Sequence, residues 1–105
     1  MDILQIRLEY KCFPIWIYDQ NNIFIDNNLP ESLIDDNELR NAFSKVQEAY
    51  DYLYVDNYNE FTYIGFQSNE QKGGFIDIFN RAIILLKHKV NGNFLVKNNV
   101  IIENL

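Results

Sequence analysis

From Leu39 to Leu53 the apolar residues Leu39, Ala42, Phe43, Val46, Ala49, Tyr50 and Leu53 recur at the spacing of one helical face. At about 100° per residue they form a single stripe, so this stretch is an amphipathic helix that must lay that stripe against a core. A helix of this length is marginal in water, so the rest of the chain has to supply the covering surface. Asp35, Asp36 and Glu38 put negative charge at the positive end of the helix dipole. Asp35 and Glu38 have the spacing of a reciprocal cap. Continuing the wheel places Tyr52 with Asn41, Lys45 and Glu48, and Asp51 with Arg40 and Ser44, on the solvent side.

The surface that covers the stripe reads as sheet. From Ile3 to Tyr10, Leu4, Ile6, Leu8 and Tyr10 alternate with Gln5, Arg7 and Glu9, the pattern of a strand buried on one face. Lys11 to Pro14 breaks it with a bend, because proline has no donor for a ladder. Ile15–Tyr18 and Ile23–Ile25 are two further strands, joined by the turn formers Asp19, Gln20, Asn21 and Asn22. With Ile15 and Ile17 inward, Trp16 and Tyr18 lie on the open face; the reverse assignment buries Trp16.

After the central helix, Asp56–Glu60 is a turn and Phe61–Phe66 a strand whose aromatics suit a sheet centre, with Gly65 as a bulge or close approach. Ser68 and Gln71 form a capping pattern, whereas Gly73 and Gly74 disfavour helix, so the second helix begins either at Ser68 or near Phe75. Its apolar positions through Val90 cover about half the circumference, the mark of a well-buried helix. Asn91, Gly92 and Asn93 end it, and Phe94–Lys97 with Val100–Ile102 supply a last strand or two short ones. The order β-β-β-α-β-α-β predicts an α+β two-layer sandwich: a mostly antiparallel sheet, two helices on one face, and the other face open to solvent or a partner.

A chain of 105 residues has room for a single domain, spanning 1–105. No apolar run approaches the ~20 residues of a membrane span, which argues against a membrane partner. The N-terminus lacks the basic and apolar regions of a signal peptide, and one cysteine builds no internal disulfide, so the expected location is cytoplasmic. Nine basic against fifteen acidic residues give a net charge of −6. That opposes binding to phosphate backbones and favours a basic protein surface over nucleic acid.

No constellation of residues carries catalysis. His88, the only histidine, sits between two lysines at a predicted helix end, where its charge complements the dipole. Cys12 and His88 lack the further ligands and spacing of a zinc site, and no carboxylate group has calcium-loop spacing. Gly73-Gly74 is not followed by the lysine and hydroxyl residue of a phosphate loop. The expectation is a non-enzyme without metal or cofactor. Tyrosine and tryptophan, by contrast, dominate interface anchors. Trp16, Tyr18, Tyr52 and Tyr58 have outward placements beside acidic residues.

The segments Tyr10-Lys-Cys-Phe-Pro-Ile-Trp-Ile-Tyr-Asp19, Asn28-Leu-Pro30, Tyr54-Val-Asp-Asn57 and Glu60-Phe-Thr-Tyr-Ile-Gly-Phe66 resemble small single-domain proteins of low-GC bacteria. Such proteins are similar to the immunity partners encoded beside polymorphic or contact-dependent toxins. The resemblance covers most of the chain and implies a cytoplasmic inhibitor that binds a cognate toxin domain and blocks its active site or substrate approach. It transfers no functional residue. The expectation from the residues is an acidic surface of Asp51, Tyr52, Asp56, Tyr58 and Glu60, with Trp16 and Tyr18, meeting a basic toxin domain such as a nuclease. The alternative is a self-associating structural or regulatory domain, a homodimer through the open sheet face.

Overall fold

The computed structural model describes residues 1–105, and its first element is strand β1, Ile3–Ile6. Strand β2 (Ile15–Tyr18) lies antiparallel to it, with Leu4 opposite Ile17 and Ile6 opposite Ile15. Strand β3 (Phe24–Asp26) continues antiparallel beyond β2. Helix α1 (Asn37–Asp51), a hairpin of β4 (Tyr54–Asp56) and β5 (Phe61–Tyr63), and helix α2 (Asn69–Val90) follow. Strand β6 (Leu95–Asn98) returns parallel to β1, completing a sheet of order β3-β2-β1-β6. The fold is α+β with the expected succession of strands and helices, and the four-stranded sheet is mixed.

Alternation along β1 and β2 sends Leu4, Ile6, Ile15 and Ile17 to one face. There they join Leu39, Phe43, Val46, Tyr50 and Leu53 from α1 and its end, and Phe75, Phe79, Ala82, Ile83, Leu86 and Val90 from α2, in one core. Trp16 and Tyr18 are therefore on the opposite, half-buried face. Ile84 projects outward from α2, away from this core.

The helices are antiparallel and tied at one end. Asp36, not Asp35, is the cap of α1: its Oδ1 accepts the Leu39 N–H at 3.0 Å. Glu38 does not reach back to complete the expected box. It turns to Lys89 near the end of α2, whose Nζ lies 3.2 Å from Glu38 and 3.1 Å from Asp36. The second ammonium contact outcompetes an uncharged backbone donor for the Glu38 carboxylate. At the other end of the helix pair Ser68 caps α2, accepting the Gln71 N–H at 3.0 Å. Gly73 and Gly74 thus lie inside the helix, where apolar contacts downstream override their low propensity.

Two corrections concern the segment between the helices. The expected strand at Phe61 is half of a separate hairpin, because Tyr54–Asp56 folds back on it rather than extending α1. Its aromatics consequently stand exposed instead of at a sheet centre. No helix is long and apolar enough to cross a membrane.

An added Cβ at Gly73 or Gly74 meets nothing within 4 Å. Gly73→Ala and Gly74→Ala are each expected to stabilise the fold by roughly 0.5–1 kcal/mol, read by urea unfolding. The Leu39 amide and then the Lys89 ammonium hold the Asp36 carboxyl below its usual range, while Asp36 and Glu38 raise Lys89. The lowered carboxyl contributes stability above its unfolded pKa that is lost as pH falls through the folded one, whereas the raised ammonium contributes stability lost only as pH climbs through its folded pKa. Asp36→Asn retains a capping oxygen but no charge. It should be less stable than wild type at neutral pH and converge with it as acidification protonates the Asp36 carboxyl.

Candidate functional site

The end of α1 builds the most distinctive surface. Leu53 is buried just beyond the helix, and its carbonyl accepts two hydrogen bonds, from Ile64 N–H at 2.7 Å and Gly65 N–H at 3.1 Å. This pair closes the β4–β5 hairpin onto the helix, and it requires Gly65 at φ +68°, where a Cβ is disfavoured. The hairpin is then filled by rings. Tyr54 stacks on Phe61 with centroids 5.2 Å apart and planes 5° from parallel. Tyr10 lies against both at 4.7 and 5.0 Å, and Tyr63 meets Tyr54 edge-on at 5.0 Å. Beneath them the Tyr50 and Tyr54 hydroxyls are 2.9 Å apart. Stacked and edge-on pairs each stabilise by ~0.5–1.5 kcal/mol beyond area burial.

At the hairpin tip the Asn57 N–H donates to the Glu60 carbonyl at 2.9 Å, and its side-chain Oδ1 accepts from Asn59 N–H at 2.9 Å and Glu60 N–H at 3.1 Å. An asparagine turn of this kind fixes a short loop without a core. It holds Tyr58 wholly in solvent.

The carboxylates of this surface hold a turn 40 residues away in the chain. Lys11 adopts φ +57°, uncommon for a residue with a side chain. Its N–H donates to Asp51 Oδ1 at 2.9 Å, and its Nζ lies 3.7 Å from Asp56 Oδ2. The neighbouring Tyr10 hydroxyl donates to the same Asp56 oxygen at 2.9 Å. Tyr10, Glu48, Asp51, Tyr52, Tyr54 and Asp56 together line an open groove of about 430 Å³.

Burial raises the Tyr50 phenol well above the usual tyrosine range, and the Tyr54 hydroxyl adds to it. Burial raises Tyr63 as well. Tyr10 is raised by desolvation and then by Asp56, which opposes a second negative charge beside it. The Tyr10 phenol stays protonated at neutral pH and donates to Asp56.

Of the residues singled out in the sequence, Asp51, Tyr52 and Asp56 share this groove, and Tyr58 and Glu60 stand at the hairpin tip beside it. Trp16 and Tyr18 form a second cluster on the open sheet face. The Arg7 guanidinium sits 4.2 Å over the Trp16 ring, Trp16 Nε1 donates to the Arg7 carbonyl at 3.1 Å, and Phe24 packs on both rings. Tyr10, Glu48, Tyr54 and Phe61 were missed. Glu48 was within reach, since it precedes Tyr52 by one helical turn. Tyr10 was not, because strict alternation assigns it to the core face and β1 ends before reaching it. His88 is exposed, Cys12 is half-buried, and no three His, Cys, Asp or Glu side chains converge as metal ligands do. The sequence matches no protein-family model and no curated protein.

These contacts separate residues that hold the surface together from residues it displays. Asp51→Ala removes the acceptor of the Lys11 N–H and should cost about 1 kcal/mol in urea unfolding. Tyr52→Ala and Tyr58→Ala should stay within about 0.5 kcal/mol of wild type, since both rings are exposed.

Proposed function

We propose that this chain is the immunity partner of a bacterial toxin, a cytoplasmic protein without catalysis of its own that neutralises a basic toxin domain by covering it. One observation carries the reading: a wholly exposed Tyr58 held on a rigid hairpin tip, next to an aromatic groove rimmed by Glu48, Asp51 and Asp56. A projecting ring has no role in the fold, and the asparagine turn beneath it limits the entropy lost on binding. Tyrosines so placed are the residues that anchor interfaces. The surrounding carboxylates, within a net charge of −6, speed encounter with a positively charged partner. An enzyme that handles nucleic acid presents such a surface, so a nuclease toxin fits the charge. A narrow tip also suits entry into a concave active site.

A self-associating domain is the second reading, favoured by the edge strand β3, where Phe24 and Ile25 are exposed, as is Ile23 just before it. The two readings place the interface on different parts of the molecule.

The test is capture of the tagged chain co-expressed with the gene neighbouring its own, followed by affinity measurement over a range of salt. The expected result is a one-to-one complex with a basic polypeptide, weakened at least tenfold by Tyr58→Ala, about 1.4 kcal/mol. Glu48→Lys and Glu60→Lys should slow association and flatten its salt dependence. Recovery of the chain alone, or only as its own oligomer, contradicts the proposal, as does an affinity indifferent to Tyr58.

A further inference from the structure

We infer that the groove between Tyr10, Tyr52 and Tyr54 receives an arginine side chain of the protein partner. The inference rests on the reading of this surface as a binding face and adds the chemistry of what enters it. Two features of different kind converge there. The walls are tyrosine rings, whose faces carry the negative end of the ring quadrupole and attract cations. The rim is Glu48, Asp51 and Asp56. Rings alone would suit any apolar group, and carboxylates alone would suit any ion in water. Both together select an organic cation.

The chain already places a cation of its own in this setting. The Lys11 ammonium lies 5.5 Å from the Tyr10 ring centroid and 3.7 Å from Asp56 Oδ2. It is held loosely, for that side chain is 69% exposed, and exposed pairs of this kind are worth little. One ammonium also leaves the three carboxylates in excess. Asp51 and Asp56 each use one oxygen internally, on the Lys11 N–H and the Tyr10 hydroxyl. Their other oxygens, and the Glu48 carboxylate, accept no hydrogen bond within the chain.

An arriving guanidinium has the advantage over the resident ammonium. It is planar, stacks on tyrosine, presents paired donors to a carboxylate and is more weakly hydrated. Lys11 is therefore a placeholder that the partner's arginine displaces. A lysine with a purely structural role would behave differently, because its removal would not improve binding of another cation.

The experiment titrates N-acetyl-arginine amide into the isotopically labelled full chain and follows amide chemical shifts. N-acetyl-citrulline amide, nearly identical in shape but uncharged, is the control. The arginine compound should move amides around Lys11, Asp51, Tyr52 and Asp56 with an affinity on the order of millimolar, and the citrulline compound should not. Lys11→Gly suits the positive φ and retains the N–H to Asp51 while deleting the ammonium, and Lys11→Asn serves the same purpose. Either should bind the arginine probe about threefold more tightly, and Tyr52→Ala about threefold more weakly. Equal shifts from both compounds, shifts elsewhere on the surface, or no gain on removing Lys11 would overturn the assignment. If those results came with a partner complex still weakened by Tyr58→Ala, the groove assignment alone would fall. Loss of the Tyr58 effect as well would remove the immunity reading with it.

Discussion

Burial of the α1 stripe as far as Leu53 is the constraint on which the candidate site depends. Leu39, Phe43, Val46 and Leu53 are completely inaccessible, so the end of the helix cannot shift without opening the core. Fixing Leu53 fixes its carbonyl, and that carbonyl holds Ile64 and Gly65 and with them the hairpin. The same few residues then divide by helical geometry. Tyr50 points inward to meet Tyr54, Asp51 points sideways to the Lys11 turn, and Tyr52 points into solvent. Core and display surface are thus consecutive residues of one helix end.

Charge is used in two distinct ways. Asp36 fastens the helix pair through Leu39 and Lys89, and Asp51 with Asp56 fastens the Tyr10–Lys11 turn to the hairpin. The Asp36 bond to Leu39 is partly buried, whereas the Asp51 and Asp56 bonds are exposed and contribute mainly direction. Glu48 and Glu60 are exposed, and their charge contributes mainly to the electrostatic field around this surface. The net charge therefore overstates how much acidity is free for recognition. Of the four acidic residues here, three are tied to backbone or hydroxyl donors: Asp51 to the Lys11 N–H, Asp56 to the Tyr10 hydroxyl and Glu60 to the Thr62 hydroxyl.

What could be read from the sequence is what repeats. The α1 stripe, the alternation in β1 and β2, the outward Ile84, and the turns at Asp19–Asn22 and Asn91–Asn93 all rest on local periodicity or turn chemistry, and each has its place in the fold. Alternation left two facings open for β2, and burial of Ile15 and Ile17 selects the one with Trp16 and Tyr18 outward. Spacing pointed to Asp35 as the cap, and the structure uses its neighbour Asp36, which Lys89, distant in the chain, favours. The parallel direction of β6 has no local signature, since alternation is the same for either direction. The β4–β5 hairpin is three residues on each side, too short to show a period, and it is specified by Leu53, Asn57 and stacked rings rather than by alternation. The groove was hardest to foresee, because Tyr10 enters it from the far end of the chain.

The proposed binding face is the hairpin tip with the groove beside it. Hydrogen–deuterium exchange of the chain, free and in its captured complex, tests this most directly. Slowed exchange is expected at Asn57–Phe61, at Lys11 and around Tyr52, with the open sheet face unchanged. Protection confined to β3 and the Trp16–Tyr18 face, with the hairpin exchanging as in the free chain, would contradict it.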